Sequence, residues 1–584
     1  MTAEQTKIAE ESHVKAPWLN VYGVVPPHLD YPDCTMYEAV EHCAETYPNH
    51  TAYVFMGRKT TYRAMAAEID LCARALKATG VRPGDRITMA MPNCPQAVIM
   101  FYAINLVGAT ANMIHPLSGE KEIEFYLKES GSIFAVTLDQ FYHKFEAIRQ
   151  NVTLDNIILA SIPDALSKPV RVGYMLTEGR KQAKIPKDAP VLRWNEFLRR
   201  GRGYHWTYRA ERRAGDEAVI LYSGGTTGVT KGIQLTNLNF NALGKQIIAT
   251  NPMFRPGDKM LAVMPMFHGF GLGVSIHSML VSGGCCILVP RFTPDSYAKL
   301  LLKYRCNLIA GVPTLYEALL RLPKMKNADL SCLKGVYSGG DSLSVELKKR
   351  FDQFLFDHHA TIQVREGYGL TECVTASCLT PYHISREGSI GIPFPDTYYK
   401  IVEHGTQKEV PYGTEGEICL SGPTVMMGYL HHPEETAQTL QTHEDGLAWV
   451  HTGDLGYMDP DGFVYFRQRL KRMIVTSGYN VYPSQMENIL DAHELVQMSC
   501  VIGVPDPLKM QKVKAFVMLK PGVPANEETK AVLMAYIRKN VAKYALPYDI
   551  EFRAELPKTL VGKVAYRVLE EEELKKLSET AQEQ

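Results

Sequence analysis

Between Tyr222 and Gly232 the chain reads Tyr-Ser-Gly-Gly-Thr-Thr-Gly-Val-Thr-Lys-Gly. Ser223, Thr226 and Thr227 supply hydroxyls, Gly224, Gly225 and Gly228 leave the backbone bare, and Lys231 brings a positive charge. Such a stretch suits an oxyanion. Glycines let amide N–H groups approach closely, hydroxyls donate further hydrogen bonds, and the lysine offsets charge. The chemistry it points to is the holding of nucleotide phosphates; the plainer alternative is a tight surface turn. A Walker A loop is excluded, because that motif needs Gly directly before the Lys and Ser or Thr directly after it. Thr230 and Gly232 stand in those places.

A loop of this kind must be carried by a strand, and the apolar run 218–221 directly upstream reads as one. The same grammar recurs down the chain. Strand-like 259–264 ends in Pro-Met-Phe-His-Gly-Phe-Gly-Leu272, 307–310 in Gly-Val-Pro-Thr314, and 333–337 in Ser-Gly-Gly-Asp-Ser342. Residues 363–365 lead into Glu-Gly-Tyr-Gly-Leu-Thr-Glu372. Open α/β sheets collect ligands beyond the carboxyl ends of their strands, so these loops are expected to meet over one site. Upstream, helical spacing at 36–47, 62–80 and 94–106 alternates with strands at 86–91, 134–137 and 156–160. That order predicts parallel sheet covered on both faces. The most apolar stretch, 97–114, is interrupted by Asn105, Gly108 and Asn112 and reads as a core helix followed by a strand, not a membrane span.

At 584 residues, more than one domain is expected. Residues 414–423 open a more β-rich part, followed by His451-Thr-Gly-Asp-Leu455 and a turn at Asp459-Pro-Asp-Gly462. The basic stretch 467–472 reads as a linker. Beyond it, strands at 473–475, 513–519 and 550–552 and helices at 483–492, 527–540 and 567–577 make a small α+β domain. Lys plus Arg and Asp plus Glu balance at 63 each, so no net field recruits nucleic acid. The twelve cysteines include no CxxC pair and are expected to be buried free thiols in a reducing cytosol, not metal ligands. The first residues lack an apolar core of the secretory kind, which fits a cytoplasmic protein. Residues 162–213 are rich in Lys and Arg, interleaved with Trp194, Phe197, Tyr204, Trp206 and Tyr208. A solvated connecting segment is the main expectation. The part from 168 to 213 also offers a weak peripheral contact with anionic lipid, at about 1 kcal/mol per basic residue.

Taken together, these loops resemble the adenylate-forming superfamily of acyl-CoA synthetases, carrier-protein adenylation domains and luciferases. The resemblance covers nearly the whole chain. It rests on the loop at 222–232, Tyr368-Gly-Leu-Thr-Glu372, Thr452-Gly-Asp454 and Pro557-Lys-Thr-Leu-Val-Gly-Lys563, in the family's order. The Gly224-Gly225 start of the loop and Val475-Thr-Ser-Gly-Tyr-Asn-Val-Tyr-Pro483 look like bacterial fatty acyl-CoA ligases. The resemblance implies an α/β fold: a large N-terminal domain (1–470) of layered, mostly parallel sheets and helices holding acid and ATP. A hinge at 471–472 and a small mobile α+β domain (473–584) follow.

The implied reaction has two halves. A carboxylate attacks the α-phosphate of MgATP, giving acyl-AMP and pyrophosphate, and the thiol of coenzyme A then displaces AMP. The protein's part is positioning and charge stabilisation. By resemblance the opening loop, with Ser223, Gly224, Gly225, Thr226, Thr227, Gly228 and Lys231, cradles the β- and γ-phosphates. Thr371 donates to the α-phosphate, Glu372 holds Mg²⁺, and Tyr368, followed by Gly369, stacks on adenine. Asp454 takes the ribose hydroxyls with Arg469 assisting. Gly339 and Gly340 admit adenine and the acyl carboxylate, and Lys563 lies between the two reacting anions. His268 sits beside the acyl site in a packing or gating role, since the substrate carboxylate is already ionised at pH 7. Phe267, Phe270, Leu272 and Val274 suit an apolar acyl pocket and equally suit ordinary core. Lys471 matches the hinge, and Gly478 faces the thiol tunnel.

Five positions depart from the family's pattern: Thr230, Gln468, Arg472, Gln485 and Tyr566. None removes a group assigned to chemistry. The expected activity is ATP-dependent ligation of a medium- or long-chain fatty acid to CoA, by a monomer or homodimer. The alternatives are an aryl or sterol-like acid, loading of a carrier protein, and a non-catalytic nucleotide-binding regulator.

Overall fold

Strands of a parallel sheet are covered on both faces, so they are apolar throughout rather than alternating. Phe134–Leu138, Cys285–Leu288, Leu308–Gly311 and Gly335–Ser338 are of this kind, with every residue buried. They belong to a computed structural model that describes residues 14–177, 185–186, 188–222, 230–476, 479–506, 509–559 and 562–582.

Among the described residues the strands form four sheets. One has parallel strands Thr51–Phe55, Cys285–Leu288, Lys259–Ala262, Leu308–Gly311, Gly335–Ser338 and Val364–Tyr368 at its centre, with antiparallel edges. A second is parallel from Leu192–Arg193 through Thr110–Met113 to Glu217–Tyr222. There it turns antiparallel through Gly232–Thr236 and Gly428–Tyr429. The two share one core, crossed by helix Pro95–Leu106, all of whose residues are buried. A helix with no polar face must be enclosed on all sides. The third sheet is antiparallel: Tyr398–Val402, Gly416–Ser421, Ala448–Met458, Leu440–Thr442 and Val464–Arg469. Its own core holds Trp18 and Trp449. The fourth, around the long pair Val496–Asp506 and Met510–Leu519, packs with helices Pro483–Asp491 and Glu527–Asn540 into a separate core.

Two sequence expectations change. The basic stretch 467–472 is not all linker. Arg467, Gln468 and Arg469 end the strand Val464–Arg469, where Arg469 faces Asp454 and Arg467 pairs with Glu415 at 2.9 Å. Opposite charges across the ladder hold what composition alone assigns to a connector. Only the 3-10 turn Leu470–Arg472 joins the two parts. Likewise, 162–213 is not simply a solvated connector. Trp194 and Phe197, on helix Trp194–Arg202, are core residues, and Tyr208 donates to Asp70. Exposed apolar groups remain on helix Lys168–Leu176 and at Trp206. No helix among the described residues is long and apolar enough to cross a membrane.

Helix Trp194–Arg202 is seated by Gly201. A Cβ there would lie 2.5 Å from the carbonyl oxygen of Leu71 and 2.8 Å from the amide nitrogen of Ala75. Gly201→Ala is therefore expected to destabilise the protein by about 1–3 kcal/mol through overpacking, read as a lowered urea midpoint. An unchanged midpoint would show that the packing of helix Trp194–Arg202 on helix Tyr62–Ala78 does not depend on this contact.

Candidate active site

The opening loop lies between two strands that run antiparallel, with Tyr222 paired to Gly232. Ser223, Gly224, Gly225, Thr226, Thr227 and Gly228 lie outside the described residues. Lys231 is described. Its Nζ lies 3.5 Å from Glu435 Oε1 and 5.0 Å from the ring centroid of Tyr429. Tyr429 in turn donates its O–H to Glu372 Oε1 at 2.7 Å. The lysine at the hairpin's end and the carboxylate of the Tyr368–Glu372 motif are thus linked through one tyrosine. Sequence spacing gives no sign of Tyr429. It arrives because Gly428–Tyr429 adds to the hairpin as an edge strand.

Thr371 and Glu372 form a half-buried 3-10 turn with Cys373. The next residue, Val374, has φ 66° and ψ −58°, and the Thr375 amide donates to the Cys373 carbonyl at 2.8 Å. That geometry is a γ-turn of the strained kind, rare for a β-branched residue. Such strain persists where surroundings over-determine it, commonly at functional sites. Here the surroundings are close: a Cβ on Gly269 would meet the Val374 carbonyl oxygen at 1.8 Å. Gly369 is under the same pressure, its would-be Cβ 2.2 Å from the Thr375 carbonyl oxygen.

Asp454 is 1% exposed. Tyr368 O–H donates to its Oδ2 at 2.6 Å, and Arg469 Nε lies 3.2 Å from Oδ1. Burial raises the carboxyl pKa, while Arg469 and Tyr368 counter it by favouring the charged form. The three residues assigned by resemblance to the nucleoside therefore meet.

Lys563 also reaches this place. Its Cε and Nζ lie 3.4 and 3.9 Å from where a Cβ on Gly340 would sit. Gly340 has φ +81°, so a side chain there would be strained as well as obstructive. Gly339 is tight too, with Phe270 Cζ 3.8 Å and the Gly367 carbonyl 3.2 Å from its would-be Cβ. The lysine loop is held by Thr314 Oγ1 donating to the Gly562 carbonyl (3.0 Å) and by the Val564 amide donating to Asp341 (3.4 Å). Burial pushes the Lys563 pKa down; Asp341 and Asp454 oppose this and Arg469 adds to it. Thr314 and Asp341 go unnoticed in sequence reading, although both stand in the strand-terminal loops singled out there.

His268 Nδ1 accepts from the Phe270 amide at 3.2 Å, so the neutral ring carries its proton on Nε2. Burial, reinforced by the Lys563 charge, brings its pKa down to about 3. The chain then runs into a π-helical segment, Phe270–His277. Phe267 and Phe270 are partly buried against the core, with Phe267 packed on His115 at 4.3 Å between ring centroids. Leu272 and Val274 are core. Lys471 lies in the connecting turn, with its side chain outside the description, and Gly478 is outside it altogether.

Among the described residues no group of three or more His, Cys, Asp or Glu side chains could hold a metal ion. A lone carboxylate such as Glu372 fits a hard cation that completes its shell with water and phosphate oxygens.

Known proteins match this chain along its length. The family model described as AMP-binding enzyme covers residues 40–430, and that of the AMP-binding enzyme C-terminal domain covers 485–563. The long-chain-fatty-acid–CoA ligase of Bacillus subtilis is 36% identical over 565 residues, 95% of this chain and 98% of that protein. The enzyme of the same name from Salmonella typhimurium is 33% identical over 570 residues, with 96% and 98% coverage. Among solved structures, the anthranilate CoA ligase AuaEII in complex with anthranoyl-AMP superposes with a TM-score of 0.79. It is 26% identical, covering 93% of this chain and 97% of that one. ATP-bound MatB from Rhodopseudomonas palustris gives 0.78 at 25% identity, with 92% and 99% coverage.

The neutral His268 has a consequence for stability. Its folded pKa lies below the unfolded value of about 6.5, so the unfolded state binds more protons between the two. Stability is expected to fall as pH drops below about 6.5. His268→Gln should remove about 1 kcal/mol of the loss between pH 7 and 5, since the ring is half-buried. Parallel urea midpoints for the two proteins across that range would show the histidine to be uninvolved.

Proposed function

Because the chain belongs to the AMP-binding enzyme family, we propose that it joins a medium- or long-chain fatty acid to coenzyme A through an acyl-adenylate. The observation that carries this reading is the position of Lys563 against Gly340, beside Asp454 and Arg469. Two anions must approach for adenylation, and a cation between them lowers the barrier. The names of the relatives supply the fatty acid.

In the first half-reaction an acyl carboxylate oxygen bonds to the α-phosphorus of ATP as the bond to the β-phosphate breaks and pyrophosphate leaves. The hairpin loop and Lys231 hold the β- and γ-phosphates, Thr371 donates to the α-phosphate, and Asp454 accepts from the ribose hydroxyls. Arg469 and Tyr368 keep the Asp454 carboxylate charged and aimed. Tyr368 thereby has its ring fixed for stacking on adenine. Glu372, oriented by Tyr429, holds Mg²⁺, which neutralises charge on the phosphates when bound. His268, with Nε2–H outward from its backbone anchor, donates or gates at the acyl side and takes no proton.

In the second half-reaction the thiol sulfur bonds to the acyl carbon, the carbon–oxygen bond to AMP breaks, and the thiol proton passes to solvent. Lys563 is no longer needed. The small domain turns about Lys471 and brings Gly478 to the pantetheine arm.

A weak peripheral contact with anionic lipid has support of its own. Val172, Met175 and Leu176 are 61%, 51% and 55% exposed on helix Lys168–Leu176, which also carries Lys168 and Arg171. Burying such side chains at a bilayer surface next to basic residues is favourable. Flotation with vesicles rich in anionic lipid, reduced by Val172→Asp, is the expected result, and equal flotation of the variant would remove the helix from consideration.

The decisive experiment offers a panel of carboxylic acids with ATP and CoA and reads pyrophosphate and thioester together. Lys563→Ala should lower adenylation at least a hundredfold yet convert supplied acyl-AMP to thioester. Gly478→Leu should do the reverse and accumulate acyl-AMP. Equal loss of both halves in either variant would refute the division of labour, and thioester formed only on a carrier protein would move the acceptor away from CoA.

A further inference from the structure

Behind the Asp454 carboxylate lies a buried polar cluster to which the proposed mechanism gives no task. In the strands Gly416–Ser421 and Ala448–Met458, Cys419 faces His451 and Glu417 faces Leu455. Two residues on one strand thus span four on the other, so Thr452-Gly453-Asp454 bulges from the ladder. Bulges of this kind re-aim side chains and leave backbone amides without ladder partners. Glu417 meets that need, its Oε1 accepting the Gly453 amide at 2.9 Å. Thr452 completes the bulge by donating to the Ile418 carbonyl at 2.7 Å and accepting from the Asp454 amide at 3.1 Å.

Glu417 is itself held. His451 Nδ1 lies 3.2 Å from Glu417 Oε2, with side chains 8% and 7% exposed. A carboxylate only accepts, so His451 carries its proton on Nδ1. Its Nε2 then presents a lone pair to His443 Nε2, 2.9 Å away, and His443 must donate. That assignment leaves His443 Nδ1 without a proton, and this atom is buried with no partner. A bare acceptor is tolerated there more readily than a bare donor. The ring of His443 stacks on Trp449, whose indole donates to Asp445, and Lys400 pairs with Asp445. On the outer side, exposed His404 comes within 3.8 Å of Glu417.

We propose that Glu417, backed by His451 and His443, is a positioning residue for the nucleotide. It sets the shape of the Thr452–Asp454 bulge and so aims the Asp454 carboxylate at the ribose. The inference rests on the ribose assignment of Asp454, and its test separates the two.

Glu417→Ala removes the acceptor for the Gly453 amide. It is expected to raise KM for ATP about tenfold, the scale of a hydrogen bond to a charged group, with KM for CoA unchanged. Glu417→Gln keeps an acceptor oxygen and should stay within about threefold of wild type. Asp454→Ala is the control. If it leaves KM for ATP unchanged, the ribose assignment itself falls. If it raises that KM while Glu417→Ala stays within twofold of wild type, the positioning role is overturned. Should Glu417→Ala not fold, His451→Ala decides: a rise of about threefold in KM for ATP at unchanged kcat supports the role, and an unchanged KM refutes it.

Discussion

A carboxylate taken out of water must find partners or lose its charge, and at Asp454 three parts of the chain supply them. Tyr368 comes from the end of a parallel strand in the large core, Arg469 from the neighbouring antiparallel strand, and the bulge that presents Asp454 is braced by Glu417. These contacts therefore do more than neutralise a charge. The Tyr368 hydrogen bond ties the first sheet to the third, and the ion pair with Arg469 fixes the last strand residue before the turn Leu470–Arg472. Where the small part of the protein begins is set by the partner of a buried acid.

Around that turn, departures from the family's pattern cease to be isolated. The Arg472 guanidinium lies over the Tyr566 ring, 4.8 Å from its centroid, and pairs with Glu487. An arginine where an acid is common and a tyrosine where an arginine is common thus compensate each other, with cation–π attraction in place of a charge pair. Gln468 accepts from the Ser484 amide at 3.2 Å, a contact that seats helix Pro483–Asp491 on the end of strand Val464–Arg469. Gln485, by contrast, is exposed, and nothing in the structure explains its difference.

The large features were legible because they depend on local pattern. Uniformly apolar runs mark the buried parallel strands, and Gly, hydroxyl and carboxylate residues at their ends mark the loops that gather over one site. What stayed hidden depends on register and on pairing between distant segments. Arg467 and Arg469 read as linker because their partners, Glu415 just before strand Gly416–Ser421 and Asp454 on strand Ala448–Met458, come from other segments of the chain. Trp194 and Phe197 read as surface because their basic neighbours dominate the composition, while helix geometry turns the aromatics inward. Glu417 looked like any strand residue, since the bulge opposite it is an offset between two strands and has no signature within either. Tyr429, Thr314 and Asp341 matter through contacts whose other halves lie far away in the chain.

The strained turn at Val374 places its carbonyl against Gly269, so one peptide group stands between two segments of the candidate site. On one side stands the Thr371–Glu372 turn, on the other the His268 segment and its π-helical continuation. A contact that close has no slack, because Gly269 cannot accept even a methyl group without displacing the Val374 carbonyl. The Thr371–Glu372 turn and the His268 segment are consequently a single mechanical unit. A displacement of the His268 segment would be felt at Glu372, with only the Val374 turn between them to absorb it.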